Sequence, residues 1–341
     1  MSYQQKWEEK WIPDLTSWAT TGVTGPFSYS KVLKINNVLY AFGGYDIVAA
    51  VSNGKIWSTS WYDPTGWTYT GSTFAAFSDS IDCGVVNNTV YSWGRNGYTA
   101  IWSAPISDPL NWSDTGVTNP SPRDNTGLII TPNHIAFHGG YNGFALGNTS
   151  YASISTPTSI STGGSIAGWE RYGFYLDGEE VYLTGGFNAT GYFESIDPRS
   201  PTTKFYSRTS NTNLSAARCP AIFHVGNYVY IFGTNNDQTL YYCNTDDFSN
   251  TWRMASSIIP VNVQYVSGGQ WIGPDGYAYF ITTAGVIYKS GRRKIYVTDP
   301  QIPGVYSHRR AIYADTGEDT YYTIHCQMGM TPWYTNRRDR F

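Results

Sequence analysis

The chain has 341 residues, a formal net charge of −3 and only 14% charged residues, against 17% aromatic residues and 35 glycines. Near-neutrality gives no broad electrostatic case for nucleic acid or an anionic membrane. No stretch approaches the ~18 consecutive apolar residues of a membrane span, whereas many aromatics and glycines with few charges fit short strands joined by tight turns.

The N-terminus, MSYQQKWEEKW, lacks the basic-then-apolar pattern of a secretory signal. The expected location is therefore cytoplasmic, or within a particle assembled in the cytoplasm. Residues 1–13 form an extension in which Trp7 and Trp11 lie four apart. On a helix they would share one face, and such a short helix would dock on the chain's own body or on a partner. SWATTG follows, from Ser17 to Gly22.

From there the chain repeats itself. A short apolar strand stops on glycine in NNVLYAFGG, NNTVYSWG, NHIAFHGG, GEEVYLTGG and GNYVYIFG. The stopping glycines, Gly43, Gly94, Gly139, Gly185 and Gly233, stand about 45–51 residues apart, a period typical of propeller blades. One further step reaches GYAYFITTAG, with its glycine displaced to Gly285, and another reaches TYYTIHCQMG. That predicts seven units.

Each unit reads as four strands. A strand such as SKVLKI precedes the repeated one. The third carries an aromatic: Trp57, Trp102, Tyr151, Phe193, Tyr241, Tyr288 and Trp333. The fourth often opens on another, as in WTYTG and WSDTG, while SISTG near Ile160 has none. The seventh unit lacks a fourth strand before Phe341. SWATTG resembles the fourth strands yet follows no blade, so residues 14–22 are expected to complete the last blade and close the ring, removing two open edges.

The YAFGG, AFHGG and YLTGG stops and the later aromatic in each unit resemble the kelch-repeat superfamily, including galactose-oxidase-type propellers, over about residues 14–336. The resemblance implies an all-β, seven-bladed, kelch-like β-propeller, a single domain over residues 14–341. The links IWSAPISDPLNW and LYYCNTDDFSNTW also resemble propeller segments of bacteriophage tail and virion proteins.

Propellers bind where loops meet at the end of the central channel. Arg123, Arg171, Arg218 and Arg310 precede or open first strands and would gather there by pseudo-symmetry. Guanidinium forks suit carboxylate or phosphate; alternatively each Arg bonds loop carbonyls or a local acid such as Glu170. The glycine-stopped loops place aromatic, amide and charged residues together: Tyr45, Arg95, Tyr141, Asn188 and Asn236 represent them. Such groups suit sugar rings, or serve turn geometry and packing.

Catalytic readings are thin. Five histidines show no cluster, and Cys83, Cys219, Cys243 and Cys326 lack metal-like spacing and read as buried thiols. A sialidase-like site would use arginines with Glu170 and Tyr172, yet the S-x-D-x-G-x-T-W boxes are absent. The expectation is therefore a non-enzymatic binding or assembly module with no cofactor, no metal, no nucleic acid partner and no membrane insertion. Its sharper form is a bacteriophage tail, fibre or appendage protein that docks to structural partners or recognises cell-surface glycan. The alternatives are a lectin-like propeller outside a virion and a sialidase-like hydrolase.

Overall fold

The computed structural model describes residues 7–28, 30–52, 54–74, 83–93, 99–120, 122–123, 127–131, 133–140, 147–165, 173–177, 180–184, 193–196, 217–225, 228–234, 239–244, 253–258, 269–298, 310–312 and 319–321. Every regular element among them is a strand. The chain opens with β1 (Trp7–Thr24), an 18-residue strand, and β2 (Phe27–Ser28). Trp7 and Trp11 therefore lie on a strand, not on the helix that their spacing allowed.

The first blade is antiparallel, in the order β3 (Lys31–Ile35), β4 (Val38–Phe42), β7 (Lys55–Ser60), β8 (Thr68–Thr73). Between its second and third strands a hairpin of β5 (Tyr45–Asp46) and β6 (Val51–Ser52) pairs with β2. The second blade runs β9 (Cys83–Val86), β10 (Thr89–Ser92), β11 (Ala100–Pro105), β12 (Ser113–Thr118). The third runs β13 (Gly127–Ile130), β14 (His134–His138), β15 (Asn148–Ser153), β16 (Ser161–Ser165).

A three-stranded sheet follows: β17 (Gly173–Asp177), β18 (Glu180–Thr184), β19 (Phe193–Ile196). Then comes a blade of β20 (Ala217–Val225), β21 (Tyr228–Thr234), β22 (Thr239–Asn244), β23 (Arg253–Ile258). The last sheet joins β24 (Gln270–Ile272), β25 (Ala278–Ile281) and β26 (Val286–Thr298) to β1. Two short strands, β27 (Arg310–Ile312) and β28 (Asp319–Tyr321), extend that same sheet.

The arrangement is a β-propeller, but the described residues do not form seven blades. Among the described residues five sheets have four strands or more, and β17–β19 adds a three-stranded one. The seventh unit builds no sheet of its own there, because β27 pairs with Tyr296 and Val297 of β26. The N-terminal strand does complete a blade, but that of the sixth unit.

Its register identifies β1 as a fourth strand. In the first blade the pairing slips between Lys55↔Thr73 and Trp57↔Tyr69. The same slip recurs at Ala100↔Thr118 and Trp102↔Asp114, at Thr239↔Ile258 and Tyr241↔Met254, and at Val286↔Thr24 and Tyr288↔Thr20. A Thr-Gly pair makes this bulge in three of the four. Thr21, Thr70 and Thr115 donate through Oγ1 to the carbonyls of Ile287, Ile56 and Ile101, at 2.9, 2.8 and 2.8 Å. Each also accepts the backbone N–H two residues on. The glycines that follow, Gly22, Gly71 and Gly116, have φ of 76°, 86° and 74°, which favours a residue without Cβ.

The tryptophan three residues before each of these threonines packs against the preceding blade. Trp112 meets Phe42 edge-on at 5.7 Å, Trp67 meets Trp271 at 5.8 Å, and Trp18 lies 5.9 Å from Phe223. Ile160 takes the same role in the third blade, in a cluster with Val86, Trp93 and Ile101. First and last blades share one core: Phe27, Leu39, Trp57 and Trp67 pack with Trp271, Tyr279, Ile281 and Ile287. The blades joined by these contacts thus bury each other's apolar faces, which no single four-stranded sheet can do alone.

Turns follow local chemistry. Asn87 and Asn88 both adopt positive φ, 48° and 62°, as a two-residue hairpin turn between β9 and β10 requires. Gly44 has φ +93°, and a Cβ there would come within 2.4 Å of the Ser28 carbonyl oxygen. The glycine stop is therefore obligatory in the first blade. Cys83 is a buried thiol outside any disulfide, as expected.

Candidate interaction surfaces

Of the residues expected at the channel mouth, Arg95, Tyr141, Glu170, Arg171, Asn188 and Asn236 lie outside the described residues. Arg218 falls in β20, within the slip between Ala217 and Ala221, and Arg310 opens β27 opposite Tyr321. The side chains of Arg171, Arg218 and Arg310 thus lie outside those the structure describes, and with them the expected ring of arginines.

Of the four arginines, Arg123 has a described side chain, which is 2% exposed. Its Nη1 donates to the carbonyls of Gly139 and Asn148, each at 2.8 Å, and its Nη2 donates to Ser150 Oγ at 3.1 Å. It clamps the glycine stop of the third blade to the start of the third strand. The register also puts Ser150, not Tyr151, where other third strands carry their aromatic: Ser150 faces Thr162 as Trp57 faces Tyr69. In this blade the arginine fork fills the place of a ring. Arg123→Met should then lower the melting temperature, since orphaned buried acceptors cost on the order of 3 kcal/mol together. A thermal melt checks this; an unchanged melt would return Arg123 to ligand binding.

Tyr45 is half-buried and pairs with Ser28 and Ser52. Beside it Asp46 is 1% exposed. Its Oδ1 accepts the N–H groups of Val48 and Ala49 at 3.0 and 2.9 Å, and its Oδ2 takes the Lys55 ammonium at 2.5 Å. Lys55 in turn lies over the Trp57 and Tyr69 rings. A buried, paired carboxylate thus fixes the β5–β6 hairpin from below. What the hairpin presents is apolar. Val48, Ala49, Ala50 and Val51 are exposed, Val48 at 84%, and Ala50 adopts φ 56°. Four consecutive exposed apolar residues are unusual unless a surface uses them. The sequence signal was the run IVAAV inside a loop, overshadowed by its polar neighbours.

The second surface lies on the closing sheet. Trp7 pairs with Thr298 and Trp11 with Lys294. Trp11 is 39% exposed, with the Arg292 guanidinium 4.3 Å and the Lys294 ammonium 5.4 Å from its ring. Arg292 also lies 4.9 Å from the Tyr277 ring, which holds Lys289 at 5.1 Å. The turn beneath is rigid: the Tyr279 hydroxyl donates to Asp275 Oδ2 at 2.7 Å, and Asp275 Oδ1 accepts the Tyr277 N–H. Burial first, then that hydrogen bond, raises the Tyr279 pKa. A Cβ on Gly276 would meet the Trp11 backbone, so the β24–β25 turn sits directly against β1.

Among the described residues no three His, Cys, Asp or Glu side chains come together as a metal site, and no helix is long and apolar enough to cross a membrane. No protein-family model matches the chain. No curated protein matches it either.

Proposed function

We propose that the protein is a non-catalytic binding and assembly module, a component of a bacteriophage tail, fibre or appendage that docks to structural partners. The observation that carries docking is the Val48–Val51 tip, an apolar surface held rigid by buried Asp46. Burying it against a partner would remove apolar area from water, and its pre-set shape lowers the entropy lost on docking. The virion assignment is supported by the resemblance of the links around Trp102–Trp112 and Tyr241–Trp252 to tail proteins, and by a composition rich in Asn, Ser, Thr and Tyr and low in Lys. Glycan recognition is the second reading, supported by exposed Tyr62 and Tyr69 on the first blade.

Val48→Asp tests the docking. The variant should melt like the wild type, because Val48 is 84% exposed. It should nonetheless be missing from purified particles that incorporate the wild-type protein. Incorporation at wild-type levels would sink the docking role of the tip. A panel of bacterial surface polysaccharides separates the rest: binding without release of reducing sugar supports recognition, and release would overturn the non-catalytic reading.

A further inference from the structure

The row on the closing sheet alternates cation and ring: Lys294, Trp11, Arg292, Tyr277, Lys289, with ring-to-cation steps of 5.4, 4.3, 4.9 and 5.1 Å. Arg292 and Lys294 are exposed, and Trp11 is the partly exposed ring between them. In a chain of net charge −3 this concentrates three cations in one line.

We propose that this face docks an extended acidic segment of a partner protein. Four observations carry it. Stacking on rings restrains the long cationic side chains before any ligand arrives, so less entropy is lost when they bind. Arg292 Nη1 donates to the Asp275 carbonyl at 3.1 Å, which fixes the stacked guanidinium in place, and its remaining N–H groups offer charge-assisted hydrogen bonds to a carboxylate. A carboxylate already sits at one end: Glu9 Oε2 lies 2.9 Å from Lys294 Nζ, with both side chains about half exposed. Finally, each ring already carries two cations, so neither offers the bare faces on which nucleobases or sugars stack.

The inference deepens the docking reading and assigns partner chemistry to a second face, on other strands than the Val48 tip. The two fail separately. Val48→Asp should leave acidic-peptide binding intact, and loss of the cation row should leave the apolar tip intact.

The probe is a ten-residue peptide of alternating Glu and Thr, titrated against the full chain and followed by tryptophan emission. Saturable binding is expected, weakening about tenfold on raising salt from near 0.05 to 0.5 M as exposed charges are screened. Arg292→Gln and, independently, Lys289→Gln should each weaken it about five- to tenfold with unchanged melting curves. Glu9→Gln should strengthen it, because it releases Lys294 from its internal carboxylate; a merely structural role for the row would not produce that gain. Unaltered affinity in both cation variants would overturn the proposal. So would tighter binding of single-stranded DNA or polygalacturonate than of the peptide, or no binding at low salt.

Discussion

Deleting residues 1–22 should cost the protein its cooperative fold, giving a melting temperature lower by more than about 10 °C or soluble aggregates. The deletion removes the fourth strand of the β24–β26 blade, leaving β26 as an open edge. It also removes Ile12 and Leu15, at 0% and 2% exposure, and Trp18 from a core shared with Phe223, Leu240 and Phe280. Truncating a single buried Leu or Ile costs about 2–5 kcal/mol, and here three large side chains go together. Thermal melting and size exclusion of the truncated chain check it. A monomer with an unchanged melt would show that the N-terminal strand does not hold the blade.

The second large effect is expected at the seam between first and last blades. Trp271 is 1% exposed, stacked on Tyr279 at 5.6 Å with the planes 9° apart, and edge-on to Trp67 at 5.8 Å. Trp271→Ala should destabilise by about 3–5 kcal/mol, the cost of truncating a buried tryptophan. Trp271→Phe keeps a ring between Tyr279 and Trp67 and should cost less than half as much. Denaturant unfolding of both variants measures the difference. A loss below about 1 kcal/mol for the alanine variant would mean that the two blades do not depend on this packing.

The propeller was legible because its repeating parts are chemically specific. Gly43–Gly44 and Gly139–Gly140 mark strand ends where the backbone turns left-handed, and Trp67 and Trp112 mark fourth strands. The likeness of SWATTG to WTYTG and WSDTG was enough to place the chain start in a blade, since the same Thr-Gly bulge is built in all three. The blade count was not legible. The period extends past Gly285 into TYYTIHCQMG, where His325 or Cys326 stands in the place of the stopping glycine, and β27 joins the neighbouring sheet instead. The helix expected at Trp7–Trp11 failed because a spacing of four satisfies strand alternation as well as a helical turn.

The surfaces were harder to read. Trp11 was visible as an unusual residue. Its cationic partners Arg292 and Lys294 come from the far end of the sequence, and only the pairing of β1 with β26 brings them together. Arg123 was visible too, but not that Ser150 leaves room beside it for a fork. The Val48–Val51 tip is continuous in sequence, yet its exposure depends on Asp46 being buried under it.

The closing strand also carries a consequence for how the ring is assembled. Thr21 bonds the carbonyl of Ile287 across 266 residues of chain, so β1 can pair with β26 only when nearly the whole propeller exists. Contacts of such sequence separation carry a large loop-closure cost and form late. Until then the growing chain holds a row of blades with both ends unsealed, and the strand that pairs with β1 does not yet exist. Closure of the ring is then the last step of folding, and the interval before it is when strand pairing between chains competes most strongly with pairing within one.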